Sequence, residues 1–141
     1  MIRADVQSTV EARLIVERGE VVRMEMALRY FAADPLAVRA LFVAEGGSTV
    51  EWHFARDLLR EGRTRRVDDC MGEGDVRVWS AWSDDRPVVV LSLTSPDGSA
   101  ALEIDMEEVR TFLDATEMLV PYDTEAVDVD SLLGRIFAVT S

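Results

Sequence analysis

The stretch VEWHFARDLLREG at 50–62 changes its period without a break. Val50, Trp52 and Phe54 alternate with Glu51 and His53, the two-residue repeat of a half-buried strand. Ala55, Leu58 and Leu59 then recur at i, i+3 and i+4, the repeat of one helical face. No Gly or Pro separates the two patterns. A strand whose inward face becomes a helix's inward face at a corner needs no breaker. The stretch therefore predicts the end of an antiparallel meander and a short helix folded back over the sheet, with Gly62 as its stop.

The same alternation extends in both directions. Towards the N-terminus a strand is predicted over 9–17, with Val10, Ala12, Leu14 and Val16 facing in. RGE at 18–20 leads to a second, where Met24, Met26, Leu28 and Tyr30 face in and Glu25 and Arg29 face out. AADP at 32–35 turns the chain, with Asp34 placed to bond local backbone, into a third strand over 36–43. Beyond the corner, strands are predicted over 75–82, 88–94 and 99–106, punctuated by SDDRP and SPDG. Val109, Phe112, Leu113, Thr116 and Val120 trace a helical stripe ended by Pro121, and Val129, Leu132, Leu133, Ile136 and Phe137 mark a last helix. The expected fold is one α+β domain over 1–141. It comprises two antiparallel β-meanders in two sheets, β-β-β-α then β-β-β-α-α, with helices near 55–61, 107–119 and 130–138. The strand half of 50–62 closes the first meander.

Composition narrows the function classes. With 141 residues and 48% hydrophobic content, the chain can bury a core without disulfide or metal staples. The formal charge is -12, from 15 basic and 27 acidic side chains. That field repels phosphate and disfavours general nucleic-acid or anionic-membrane binding. One cysteine, Cys70, excludes an internal disulfide and multi-cysteine metal sites. The N-terminal residues alternate and hold no long apolar run, so neither a signal peptide nor a membrane span is expected, and the expected location is cytoplasmic.

No constellation for catalysis stands out. His53 is the only histidine and lies on the polar phase of its strand, without a recognisable nucleophile. Cys70 sits among acidic neighbours that blunt a thiolate. The acidic pairs, Glu103 and Asp105 among them, follow no calcium loop and are read as a solvated face. No catalytic residue, metal, cofactor or small-molecule substrate is expected. Against the acidic background, Arg56, Arg60, Arg63, Arg65 and Arg66 form a basic island from the short helix into the next loop. Pairing with Asp57, Glu61, Asp68 and Asp69 would neutralise it; otherwise it offers paired donors to an acidic protein surface. Trp79 and Trp82 fall on opposite faces of one strand, one in the core and the other partly exposed. Trp79 joins the arginines as a candidate partner-binding residue.

LRYFAADPLAVRALF at 28–42, VEWHFARDLLREG at 50–62, GDVRVW at 74–79, LSLTSPDGSAALE at 91–103 and FLDATEMLVP at 112–121 appear in that order. Together they resemble the SsgA-like regulators of sporulation and cell division, over nearly the whole chain. The resemblance implies a non-enzymatic cytoplasmic protein at the septum that helps place septa and recruit the tubulin-like division GTPase FtsZ, alongside other SsgA-like paralogues. It also implies a whirly-type fold associating as a homotrimer, and through that fold an alternative function, single-stranded nucleic-acid binding. The chain departs from the family pattern at Ser80, at Tyr122-Asp123 and in the longer arginine-rich loop over 63–73.

Overall fold

Alternating apolar residues generate one pleated surface here, not two. The computed structural model describes residues 3–15, 20–43, 47–66, 75–96 and 98–122. β1 (Val6–Ile15), β2 (Val21–Tyr30), β3 (Ala37–Val43) and β4 (Thr49–Ala55) run as a meander into α1 (Arg56–Gly62). β5 (Val76–Ser83), β6 (Arg86–Ser95) and β7 (Gly98–Asp105) form a second, which continues into α2 (Met106–Leu119). Four strands, not three, precede α1, because β4 pairs with β3 along its whole length, from Ala37↔Ala55 to Val43↔Thr49.

The two sheets expected from the sequence are a single curled antiparallel sheet in the order β4-β3-β2-β1-β7-β6-β5. Its seam is β1 against β7, with Ala12 opposite Ile104 and Leu14 opposite Leu102. Each meander alone would leave an edge of unpaired backbone beside an apolar face. Joining the edges satisfies those groups and merges the two faces into one core. Val10, Met26, Leu28, Val38, Phe54, Val78, Leu91 and Ile104 line it, closed over by Leu59 of α1 and by Val109, Phe112 and Leu113 of α2. The predicted inward stripe of α2 is the buried one, Thr116 included, and Glu107 and Glu108 stand in its first turn where the helix dipole favours acids. The helix expected near 130–138 lies outside the described residues, as does Cys70.

Local chemistry sets the corners. Asp84 and Asp85 hold φ of 51° and 62°, the left-handed pair that a two-residue type I′ hairpin between β5 and β6 requires. The α1 corner differs in detail from its sequence pattern. The buried helical face is Arg56, Leu59 and Gly62, while Ala55 is exposed and Leu58 only partly covered. Gly62 does not act as a left-handed stop, since Arg63 after it is right-handed at φ -63°. Its role is close approach. A Cβ there would fall 2.4 Å from Val78 Cγ1 and 2.9 Å from the Val78 carbonyl oxygen.

Candidate functional site

Strand phase carries Trp52 and Phe54 inward, and the next residue in that phase is Arg56. It begins α1 fully buried. Its Nη1 donates to the Val120 carbonyl at 2.7 Å. Its guanidinium carbon lies 5.0 Å from the Tyr30 ring centroid and 4.3 Å from that of Tyr122. No basic residue stands in the last turn of α2, so Arg56 supplies positive charge to that carbonyl end from a neighbouring helix. Arg60 lies 4.2 Å from the Tyr122 centroid and 3.8 Å from Asp57. Burial pushes the Tyr122 phenol above its ordinary range, and Arg56 pulls against that shift. Arg56 is therefore an interior clamp between α1 and the end of α2. Its place in the expected surface island is corrected: the strand phase that hides Phe54 hides it too.

The remaining arginines fan outward. Arg63 is half-buried, and its Nε finds no hydrogen-bond partner. Arg60, Arg63, Glu117, Pro121 and Tyr122 line an open cleft of about 340 Å³. The side chains of Arg65 and Arg66 are exposed. The backbone of Arg65 has a separate task, its carbonyl accepting from Ser80 N–H at 2.6 Å and Ser80 Oγ at 2.8 Å. That contact covers part of the free edge of β5.

Trp79 is half-buried opposite Val90, and the exposed tryptophan is Trp82, at 76%. On the outer face that Trp79 shares, Glu103 and Asp105 are not merely solvated. Arg13, 8% exposed, reaches Asp105 at 2.9 Å, Glu103 at 3.7 Å and Glu11 at 3.8 Å. His53 is exposed and donates from Nε2 to Glu51 at 2.6 Å, with Arg29 3.6 Å from the other carboxylate oxygen. The bond from His53 holds the Glu51 carboxyl below its ordinary range, burial partly opposing it. Among the described residues, the cleft holds only part of the sequence-predicted set. Arg60 and Arg63 share the cleft, Arg65 and Arg66 lie beyond it, and Tyr30 and Tyr122 are the members that sequence reasoning missed. Pro121 marked the end of α2, but nothing local shows that the next residue returns to α1.

Residues 24–125, from β2 past Tyr122, match the family described as Streptomyces sporulation and cell division protein, SsgA. The chain belongs to the SsgA family. It is 43% identical over 128 residues to sporulation-specific cell division protein SsgB of Streptomyces coelicolor, covering 89% of this chain and 90% of that protein. The SsgB of Kineococcus radiotolerans is 43% identical over 139 residues, 95% of this chain and 81% of the relative. A solved structure concerning SsgB mutations that correlate with longitudinal cell division during sporulation of Streptomyces coelicolor superposes with a TM-score of 0.79. It is 42% identical and covers 86% of this chain and 92% of that one. The SsgA-like sporulation-specific cell division protein of Thermobifida fusca gives 0.76 at 34% identity, covering 96% and 98%. These similarities support a role in sporulation cell division. Among the described residues no helix is long and apolar enough to cross a membrane.

Proposed function

We propose that this chain is a non-enzymatic adaptor of sporulation-specific division. It acts in the cytoplasm at the septum, helping to place septa and to recruit FtsZ by direct protein contact. The observation that carries this reading is the end-to-end match to proteins named for sporulation-specific cell division, covering 89% of this chain and 90% of the Streptomyces coelicolor relative. The surface supplies a means. A chain of formal charge -12 docks on another acidic protein only through a local patch of opposite sign. With Arg56 interior, that patch is Arg63, Arg65 and Arg66, flanked by Arg60.

The test is the triple variant Arg63→Glu, Arg65→Glu and Arg66→Glu as a fluorescent fusion. Fold is checked by circular dichroism, and binding to purified FtsZ is measured across a salt series. The variant should fold, lose septal localisation and bind FtsZ more weakly, with added salt weakening the parent in the same direction. A folded variant that reaches septa normally assigns the docking face elsewhere.

A further inference from the structure

The side chains around the cleft beside α1 leave part of their bonding capacity unused. Tyr122 is fixed between two guanidinium groups, Arg56 at 4.3 Å and Arg60 at 4.2 Å from its ring centroid. Among the described residues, Arg60 has one carboxylate near it, Asp57 at 3.8 Å, which is beyond hydrogen-bond range and screened by water. Arg63 has none, and its Nε is shut away from water without an acceptor. A desolvated, unpaired donor on a charged group costs free energy that an incoming acceptor would recover. Glu117, exposed on α2, lines the same cleft, and among the described residues no ion pair or hydrogen bond engages its carboxylate. The carbonyl end of α2 would repel an anion, but Val120 O already accepts from Arg56.

We propose that this cleft seats a carboxylate of an acidic partner polypeptide, gripped between Arg60 and Arg63. The proposal rests on the reading that the arginine face docks an acidic protein, and it names the anchor of that contact. Charge balance selects the ligand class. Two guanidinium groups and one carboxylate leave a single positive charge on the lining. A carboxylate matches that charge, whereas a phosphate monoester carries about -1.5 to -2 at neutral pH and meets Glu117 as a like charge. Shape agrees. A guanidinium presents Nε and a terminal amino group as parallel donors, and the two oxygens of one carboxylate accept from both. A turn of the Arg63 guanidinium towards the cleft gives Nε the acceptor it lacks. Glu117 then offers an acceptor to the peptide N–H beside the bound acid. Pro121 and Tyr122 supply apolar surface against which the adjoining chain packs. At about 340 Å³ the cleft admits one acidic side chain or chain end with its neighbouring peptide unit, and the rest of the segment runs on towards the exposed Arg65 and Arg66.

Nuclear magnetic resonance of the isotope-labelled full chain tests this without FtsZ, so its failure is distinct from a failure of the docking reading. The probes are three N-acetylated tetrapeptides of otherwise one sequence, carrying a glutamate side chain, a free terminal carboxylate or neither, together with inorganic phosphate. The Arg63 Nε–H resonance should shift saturably in the millimolar range with a carboxylate peptide and stay in place with the uncharged one. The tighter of the two carboxylate peptides identifies the acid as a side chain or a chain terminus. Arg63→Gln should weaken that binding about tenfold or more. Arg63→Lys should restore little of it, since an ammonium lacks the fork. Glu117→Gln should improve phosphate binding more than carboxylate binding. Backbone resonances away from the cleft should stay in place in each variant, showing that it folds. No saturable shift with either carboxylate peptide, undiminished binding by Arg63→Gln, or tighter binding of phosphate by the parent overturns the proposal.

Discussion

Arg56 shows how one residue joins two helices. Its guanidinium lies beside both Tyr30 and Tyr122 and donates to the carbonyl of Val120, the residue that caps α2, and Arg56 itself has 0% exposure. A desolvated cation beside aromatic rings contributes up to about 2 kcal/mol, and a hydrogen bond from a charged donor ~1.5–3 kcal/mol. Removing the side chain also opens a cavity between the rings. Arg56→Ala should therefore cost about 3 kcal/mol, read as a lower urea midpoint at unchanged slope. Arg56→Lys should recover only part of the loss, since an ammonium keeps the charge without the planar, stacking fork. A change within about 0.5 kcal/mol for Arg56→Ala, the range of an ordinary surface substitution, would show that the clamp does not hold the helices together.

Among the elements, α1 is positioned by what it lacks. Gly62 lets the helix settle on β5 with no side chain between, so Gly62→Ala forces a Cβ to within 2.4 Å of Val78 Cγ1. Overpacking of this kind costs ~1–3 kcal/mol, and equilibrium unfolding of Gly62→Ala should show it. Adding Val78→Ala should give little rescue, because it removes Cγ1 but leaves the Cβ of residue 78 at 2.5 Å and its carbonyl oxygen at 2.9 Å from the new Cβ. Full stability in the single variant would mean that α1 lifts without cost. The elements themselves were legible in the sequence, because alternation and the 3.6-residue stripe are local signals, although α1 buries Arg56, Leu59 and Gly62 and β6 buries Val88 to Leu91 without alternating. The seam was not. Ala12 opposite Ile104 joins strands far apart in the chain, and each strand alternates equally well as an edge or a centre. The candidate site was legible in part for a related reason. The exposure of Arg65 and Arg66 follows from their polar loop, but charge suggested a surface place for Arg56 where strand phase dictated an interior one.

For the whole molecule, the question is whether a family resemblance that implies a nucleic-acid-binding type of fold brings that activity with it. Electrostatics opposes this at long range, since -12 repels a phosphate backbone. At short range many of the arginines that would offset it are already engaged. Arg13 closes on three carboxylates, Arg29 on Glu51, Arg39 on Asp34 and the Phe31 ring, and Arg56 is interior. Stacking of successive bases needs a platform of aromatic faces. Among the described residues, Trp82 is the one large aromatic that stands exposed. Fluorescence anisotropy with a labelled single-stranded oligonucleotide should accordingly show no saturable binding into the micromolar range at physiological ionic strength. Lowering the salt should produce little gain, because few phosphates would displace counterions. A nanomolar affinity falling steeply with salt would reverse the assignment, and the exposed arginines Arg65 and Arg66 would then be read as phosphate contacts in place of a protein-docking patch.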